Sequence, residues 1–551
     1  MTETVLEQSP VVAPPKRQVG FFVRASLLAL LIVAAIYPTL TWLEFSNAPE
    51  ALNVGTAQEM HRTGQWFVPT LQGKTRLAKP PLTAWITATT VTDRTMRDIS
   101  DHDQAVRDRG FIRLAFETRW PLLVAGLVVL LLTAELGRLI AGDACGIASL
   151  VIAGSSLMFL RYIRYSATDV QLMLWVAAAN VFMAHALLRG RCWAGCLGAG
   201  ITLGLAMMSK GPAALAQSVA PLAVWLLWDR ARRREARWPG IGPLLSGIAL
   251  FLAVGTSWFL MVYFSENRAL TIWLSEITRE GARDAAADPW YSYLSLIPLM
   301  LPWAVFLILG FAAPLLKRDD RSMLPVLMVI VPILIMSLAR DKTERYLLPI
   351  LPAASVVAAI GWAAFRNLGV ARAIHWAIVA IFAIAFPIAA LLFDPPWITF
   401  PIGALILIGA ALLVCVGLAV QRASPAALIY TTLLLMLGLQ ILFIWGYRTT
   451  RSGSAELRPL AETIASEYPA AVVWNVRPAD KRPPPELGIY LNRVIQWTDS
   501  ISKIEAGETP QIALLHQNQG LPDLAAPASW QFIGAYPRDS DTWWAFVLPP
   551  R

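Results

Sequence analysis

Along the first 448 residues, apolar positions gather in long runs separated by short polar stretches that are often basic. A hydrocarbon layer requires about 20 residues of helix to cross it, so each such run predicts a membrane span. The runs fall near residues 21–43, 119–140, 143–161, 168–188, 193–209, 212–228, 241–264, 292–315, 322–339, 346–365, 371–393, 398–420 and 426–447. A shorter apolar stretch at 80–92 cannot span and is expected to lie at the interface. After Thr449 the pattern changes. A helix is expected over 454–466 and short strands over 471–476, 493–497, 511–516, 530–536 and 543–548, with Pro483, Pro484 and Pro485 in a turn region. The predicted fold class is mainly α: a polytopic membrane helix bundle of about thirteen spans with a small C-terminal α/β domain. The expected organisation is an N-terminal tail at 1–20, a membrane part at 21–448 with a long first outer loop at 44–118, and a soluble domain at 449–551.

Composition agrees with this pattern. The chain is 56% hydrophobic and 15% charged, with a mean hydropathy of +0.54. Its net charge is +9, whereas the tail from Thr449 carries 9 Lys/Arg against 11 Asp/Glu. The positive excess therefore belongs to the membrane part and suits anionic headgroups, not nucleic acid. Lys16, Arg17 and Arg24 place the N-terminus in the cytoplasm. With that end inside, the cytoplasmic loops hold Arg138, Arg189 and Arg191, the run Arg230 to Arg237, Lys317, Arg318 and Arg321, Arg366 and Arg372, and Arg422. An odd number of spans then leaves the C-terminal domain outside, in the periplasm of a bacterium. The first run is long and reads as a retained span, not a cleaved signal. Cys145, Cys192, Cys196 and Cys415 all lie in or beside apolar runs, which argues against a disulfide framework or a metal site.

The polar residues that could carry chemistry collect at the outer face. Cations break the loop rule there: Lys74, Arg76 and Lys79 in the first loop, then Arg161, Arg164, Lys210, Arg279, Arg283, Arg340, Lys342 and Arg345. Charges at span ends are costly unless they pair or bind an anion, and this set points to an anionic ligand such as a lipid phosphate. Simple snorkelling of each side chain is the bland alternative. Among the acids, Glu50 lies in the first loop, and Asp169 opens the fourth apolar run, where it could either cap a helix or serve a site.

Together these stretches resemble a family. Glu50, Gln58-Glu59-Met60, Gly64-x-Trp66, Pro69, Gly73 and Lys79-Pro80-Pro81-Leu82 are similar to the first outer loop of the bacterial aminoarabinose transferases, which are relatives of the protein O-mannosyltransferases with the GT-C architecture. Thr168-Asp169, Ser209-Lys210-Gly211-Pro212, Pro289-Trp290-Tyr291 with Pro302-Trp303, and Lys342 with Arg345-Tyr346-Leu347-Leu348-Pro349 and Pro352 follow in the family's order. The resemblance covers most of residues 20–355. One departure stands out: the family's first-loop Asp-Glu pair aligns with Pro49-Glu50. The His that precedes the family's Pro-Trp-Tyr motif is also absent, since Ala285-Ala286-Ala287-Asp288 stands there.

The resemblance implies an inverting glycosyltransferase of the inner membrane. Its donor would be a sugar on a polyprenyl phosphate such as undecaprenyl phosphate, and its acceptor lipid A or another envelope glycolipid, glycan or protein. Lys79, Arg164, Lys210, Lys342, Arg345 and Tyr346 are the expected donor-phosphate contacts, because fixed cations stabilise a departing phosphate. Glu50 and Asp169 are the expected catalytic carboxylates, and Trp66 and Trp290 are candidates to stack on a sugar or acceptor. The resemblance implies no required cofactor and leaves divalent metal open. The alternative functions are a lipid-sugar transporter or flippase, or an inactive relative. A transporter places ionisable groups in mid-span, whereas here the span interiors are nearly free of Asp, Glu, Lys and Arg. Most of the 22 tryptophans sit near span ends, as an interfacial belt requires.

Overall fold

The computed structural model describes residues 20–45, 48–231, 238–274, 288–317, 321–392, 425–454, 457–476, 485–517, 529–538 and 541–550, together with residues 409 and 414. The expected span at 398–420 falls almost wholly outside them. The first part of the chain forms α1 (Phe21–Ile36), α2 (Ala48–Thr63), a short hairpin of β1 (Thr70–Leu71) and β2 (Lys74–Thr75), α3 (Leu82–Thr90), α4 (Asp93–Asp98) and α5 (Gln104–Ala141). Next come α6 (Asp143–Ser155), α7 (Leu157–Tyr162), α8 (Thr168–Arg189) and α9 (Cys192–Lys210). The stretch expected at the interface, 80–92, is α3.

Among the described residues the expected spans are not all continuous helices. Among the described residues, seven helices are long and apolar enough to cross a membrane, and one further pair, Trp290–Leu299 with Ala304–Leu316, bends by 113°. The physical reason is that several apolar runs are broken. The run at 143–161 stops at Ser155, and Ser156 caps α7 by accepting from the Phe159 N–H at 3.3 Å. The run at 212–228 breaks at Ser218 into Ala213–Gln217 and Val219–Ala231. Apolar composition alone cannot locate such breaks, because the small polar residue that makes them is tolerated within a span. At the other extreme, α5 runs for 38 residues. Its first four turns carry most of its charged residues, and Asp103 caps them by accepting from the Ala105 N–H at 2.8 Å.

Within the membrane part, glycines let helices touch. A Cβ on Gly361 would lie 2.0 Å from the Phe306 carbonyl oxygen, so the helix Leu351–Phe365 packs backbone to backbone on Ala304–Lys317. A Cβ on Gly200 in α9 would lie 2.1 Å from the Gly247 carbonyl oxygen in the helix Ile241–Gly255. Lipid tails are as apolar as Leu, so such close packing, not exclusion of water, holds spans together.

The tail has β3 (Val472–Val476), β4 (Gln496–Thr498), β5 (Gln511–Gln517), β6 (Gln531–Arg538) and β7 (Asp541–Leu548), in the sheet order β4-β3-β5-β7-β6. β3 pairs in parallel with β4 and β5, and β7 is antiparallel to both β5 and β6. Val473, Ile512, Leu514 and Val547 from the sheet share one core with Phe45, Val54, Ile99 and Phe111 from the first loop and α5. Arg458 fastens this contact, pairing with Glu44 at 2.7 Å, with Glu462 at 2.7 Å and with Asp108. The tail and the first loop are therefore one packed unit on one side of the bundle.

The glycine contact can be tested by sign. Helix propensity alone favours Ala over Gly by about 1 kcal/mol. Gly361→Ala is expected instead to lower the thermal midpoint of the solubilised protein, with a loss of about 1–3 kcal/mol. Gly369→Ala, whose added Cβ meets nothing within 4 Å, should leave the midpoint within about 0.5 kcal/mol of the parent.

Candidate active site

α8 begins at Thr168 without a side-chain cap from Ala167. Asp169 in its first turn is buried, and its carboxylate pairs with the Lys210 ammonium through Oδ1 and with Arg345 Nε through Oδ2 at 3.5 Å. Oδ2 has no hydrogen-bond partner. Lys210 is the last residue of α9. Gly211 follows with φ +76°, a left-handed conformation that lets the chain leave the helix at once towards Pro212. The Lys210 ammonium also stands 3.8 Å over the Tyr346 ring. Arg345 and Tyr346 come from the 3-10 segment Glu344–Ile350, which Gln217 tethers by donating to the Tyr346 carbonyl at 3.0 Å. Three separate sequence motifs thus meet around one carboxylate.

Lys79 joins them from the first loop. The loop is held there by Leu77, which packs in a cluster with Met208 and Trp258, while Trp273 donates to the Leu77 carbonyl at 3.2 Å and Trp258 to the Phe67 carbonyl at 3.0 Å. Glu59 shapes the preceding hairpin by accepting from Thr70 Oγ1 at 2.7 Å and from the Gln72 N–H. Burial pushes the Lys79 ammonium down to about 8, assisted by the neighbouring charge of Lys210 and opposed by Asp169. Cations therefore outnumber carboxylates here: Lys79, Lys210 and Arg345 face Asp169.

Glu50 is placed elsewhere. It is fully buried, and Arg119 grips it with Nε at 2.7 Å and Nη2 at 2.9 Å. The remaining Arg119 donor, Nη1, serves the Leu40 and Leu43 carbonyls at 2.6 Å each. Glu50 Oε1 also accepts from the Ser166 N–H at 2.9 Å. Asn53, one turn on in α2, donates to Thr87 at 2.8 Å and to Ser166 at 2.9 Å. Glu50 thus fixes the turn between α7 and α8 and does not face the cationic cluster. Arg119 is the residue that sequence reasoning missed; its signal was a cation at the first position of an apolar run.

The other expected site residues scatter. Lys342 donates its ammonium to the carbonyls of Asp288 at 2.9 Å and Ala339 at 2.7 Å, and its backbone N–H to Asp288 Oδ2 at 2.7 Å, so it closes a turn. Trp66 packs within the first loop, 5.7 Å from the His61 ring, and its carbonyl accepts from Trp85 Nε1 at 2.7 Å. Trp290 is 75% exposed and touches Tyr291 edge-on. Arg164 is buried and donates through Nη2 to Gln440 Oε1. A cavity of about 650 Å³ is lined by Asp169, Arg345 and Arg164 together with Pro49, Leu160 and Phe443. Among the described residues, no three His, Cys, Asp or Glu side chains come together as a metal site.

A family model described as Dolichyl-phosphate-mannose-protein mannosyltransferase matches residues 111–259. One described as the Alg9-like mannosyltransferase family matches residues 287–395. The undecaprenyl phosphate-alpha-4-amino-4-deoxy-L-arabinose arabinosyl transferases of Pseudomonas savastanoi pv. phaseolicola and Proteus mirabilis are 27% and 26% identical to this chain. The matches cover 63% and 61% of this chain, and 63% and 60% of those proteins. The chain thus spans less than two thirds of the length of these relatives. The crystal structure of ArnT from Cupriavidus metallidurans bound to undecaprenyl phosphate superposes with a TM-score of 0.73 at 17% identity, over 96% of this chain and 98% of that one. In sequence the chain is similar to the aminoarabinose-transferase-like GT-C proteins, and it shares the fold of that crystal structure. With seven helices among the described residues long and apolar enough to cross a membrane, it is a multi-pass membrane protein. Within this GT-C fold, Pro49 stands on the cavity wall at the position where the sequence resemblance aligns the family's first-loop Asp. Two carboxylates line the cavity: Asp169, which pairs with Lys210 and Arg345, and Glu344, which pairs with Arg161.

The buried pair gives a test. Arg119→Met leaves Glu50 charged and without its partner, and should cost about 3–5 kcal/mol of stability. The double variant Arg119→Met with Glu50→Met should recover most of that loss. Thermal unfolding of the solubilised protein reads both. Equal losses in the single and double variants would mean that the surrounding hydrogen bonds, not the charge, carry the effect.

Proposed function

We propose that this chain is an inverting glycosyltransferase that moves a sugar from a polyprenyl phosphate to an envelope glycolipid at the outer face of the inner membrane. The observation that carries the reading is the cluster around Asp169, where three cations surround one carboxylate next to a cavity lined by both apolar and charged side chains. A net positive, partly buried site recruits a phosphate and stabilises the charge it gains. The relatives' names and the fold match point to the same donor chemistry.

In this reading the acceptor oxygen attacks the anomeric carbon from the face opposite the phosphate. The new C–O bond forms as the bond to the phosphate oxygen breaks, and the electron pair leaves with the phosphate. Lys79, Lys210 and Arg345 balance that developing charge, and Tyr346 backs Lys210. If the acceptor oxygen belongs to a hydroxyl, its proton goes to Asp169, whose Oδ2 is unbonded. If it belongs to an ionised phosphate, no base is needed, which fits the proline at position 49. The Lys/Arg distribution supports a cytoplasmic N-terminus, with the first loop and tail outside.

Transfer by the purified protein in lipid, with labelled undecaprenyl-phosphate sugars, tests this. Lys79→Ala should lower kcat/KM by about 10²-fold or more. Asp169→Asn should be similarly impaired, whereas Glu50→Gln should act mainly through stability. The absence of turnover and of donor binding in folded wild-type protein would overturn the assignment. A pH profile gives a second check. The Lys79 ammonium is lost as pH rises through about 8. The kcat/KM for donor should therefore fall roughly fivefold between pH 8 and 9. An active Lys79→Arg enzyme, with a guanidinium that stays charged, should not show that fall.

A further inference from the structure

Asn53 lies one turn beyond Glu50 in α2 and is buried. Its side-chain amide donates to Thr87 Oγ1 at 2.8 Å and to Ser166 Oγ at 2.9 Å. The two hydroxyls are 3.2 Å apart, and Thr87 spends its own hydrogen on the Thr83 carbonyl at 2.9 Å. Ser166 therefore donates to Thr87, and both oxygens accept from Asn53. A side-chain amide supplies two donors at that point without burying a charge. The three residues come from different places: α2, α3 and the turn between α7 and α8. Each of the latter two leads directly to the cationic cluster. Lys79 precedes α3 through Pro80 and Pro81, whose rings fix φ, so the link between them is stiff. The Trp85 N–H donates to the Pro81 carbonyl at 2.8 Å and ties that link to the first turn of α3. On the other side, Asp169 follows Ser166 by three residues, in the first turn of α8. Glu50 holds Ser166 by its backbone N–H, and Asn53 extends the hold to α3.

We infer that Asn53 is a positioning residue for transfer: it locks α3 to the turn before α8 and so sets the place of Lys79 relative to Asp169 and Lys210. The inference rests on the transferase reading for its kinetic consequence. Its effect on Lys79 itself is independent of that reading. A fixed cation stabilises a departing phosphate only from the right place, and a shift of about 1 Å costs as much as 10²-fold in rate. The charged groups that face the Lys79 ammonium are Lys210, Asp169, Arg76 and Arg345. Burial is the largest influence and lowers its affinity for the proton; the three cations lower it further, and Asp169 opposes them. A loosened α3 admits water to the ammonium and spreads the cations, so the affinity rises towards that of an ordinary lysine. The lost attraction of Asp169 acts the other way but is smaller than the effect of burial.

The experiment compares the full-length wild type in lipid with Asn53→Leu, Thr87→Val and the double variant. Asn53→Leu keeps the side chain's shape and removes both donors. Thr87→Val cuts the link to α3 and leaves the bond between Asn53 and Ser166, so it serves if the first variant does not fold. Two readouts are taken: transfer kinetics with an undecaprenyl-phosphate sugar, and trace acetylation of Lys79 by acetic anhydride from about pH 6 to about pH 10, followed by peptide mass spectrometry. Each single variant should lower kcat/KM for the donor by about tenfold or more. Each should also move the Lys79 titration up by about 0.5 pH unit or more, in the acetylation curve and in the alkaline limb of kcat/KM alike. The double variant should be no worse than Asn53→Leu, because the bond is already lost. A Lys79 titration that stays in place or moves down in both variants would overturn the inference whatever the rate does, since a loss of stability lowers the active fraction equally at every pH. A wild type without turnover on any donor would sink the transferase reading, and the acetylation curves would still decide whether Asn53 sets the place of Lys79.

Discussion

The bidentate pair of Glu50 and Arg119 sets the frame on which the candidate site depends. Both side chains are fully buried, so neither charge is solvated by water, and each holds the other in place. Arg119 comes from the long helix α5 and Glu50 from the first turn of α2. Their contact docks the first loop on the bundle, and the spare donors of Arg119 fix the end of the first span through the Leu40 and Leu43 carbonyls. Glu50 also holds the Ser166 N–H, which lies two residues from Arg164 and three from Asp169. The pair therefore positions two cavity residues without touching the cavity as a reactive group. A carboxylate held in this way does not join the cationic cluster, where Asp169 is the paired acid.

That cluster illustrates how a membrane protein keeps charge near an apolar layer. Lys210 is neutralised by Asp169 and covered by the Tyr346 ring; Arg345 shares the same carboxylate. Lys79 forms no ion pair among the described residues, and its low proton affinity records the cost. A phosphate would relieve that cost, so binding and site stability are linked. The low local dielectric that makes the unpaired ammonium costly also strengthens its attraction for an incoming anion.

The tail acts as part of this arrangement and not as a separate attachment. Its sheet shares a core with the first loop, Arg458 ties Glu44 and Asp108 to its first helix, and Lys74 of the hairpin lies 4.2 Å over the Trp497 ring. Gln72, beside the hairpin glycine, accepts from the Ile495 N–H at 3.0 Å. The same hairpin leads to Lys79. Contacts made by a polar domain therefore bear on a residue at the membrane surface.

The sequence by itself determined the membrane class, because hydropathy over about 20 residues is a local property of the chain. It also marked most strands of the tail, where alternation is local, and it singled out Asp169, Lys210, Arg345 and Tyr346 through motifs at span ends. It could not separate continuous spans from broken ones, since Ser156 and Ser218 look like ordinary polar residues within apolar runs. Only the tertiary structure decided the roles of the two acids. Glu50 and Asp169 are both buried carboxylates, yet one is matched by a buried arginine 69 positions away and the other by a lysine 41 positions away beside a cavity. The same holds for the cations: Lys342 is used up on backbone carbonyls, while Arg164 pairs with no carboxylate among the described residues. Ionic partnership is set by which helices cross, and the chain encodes that through packing at Gly200 and Gly361 and not through any spacing visible along it.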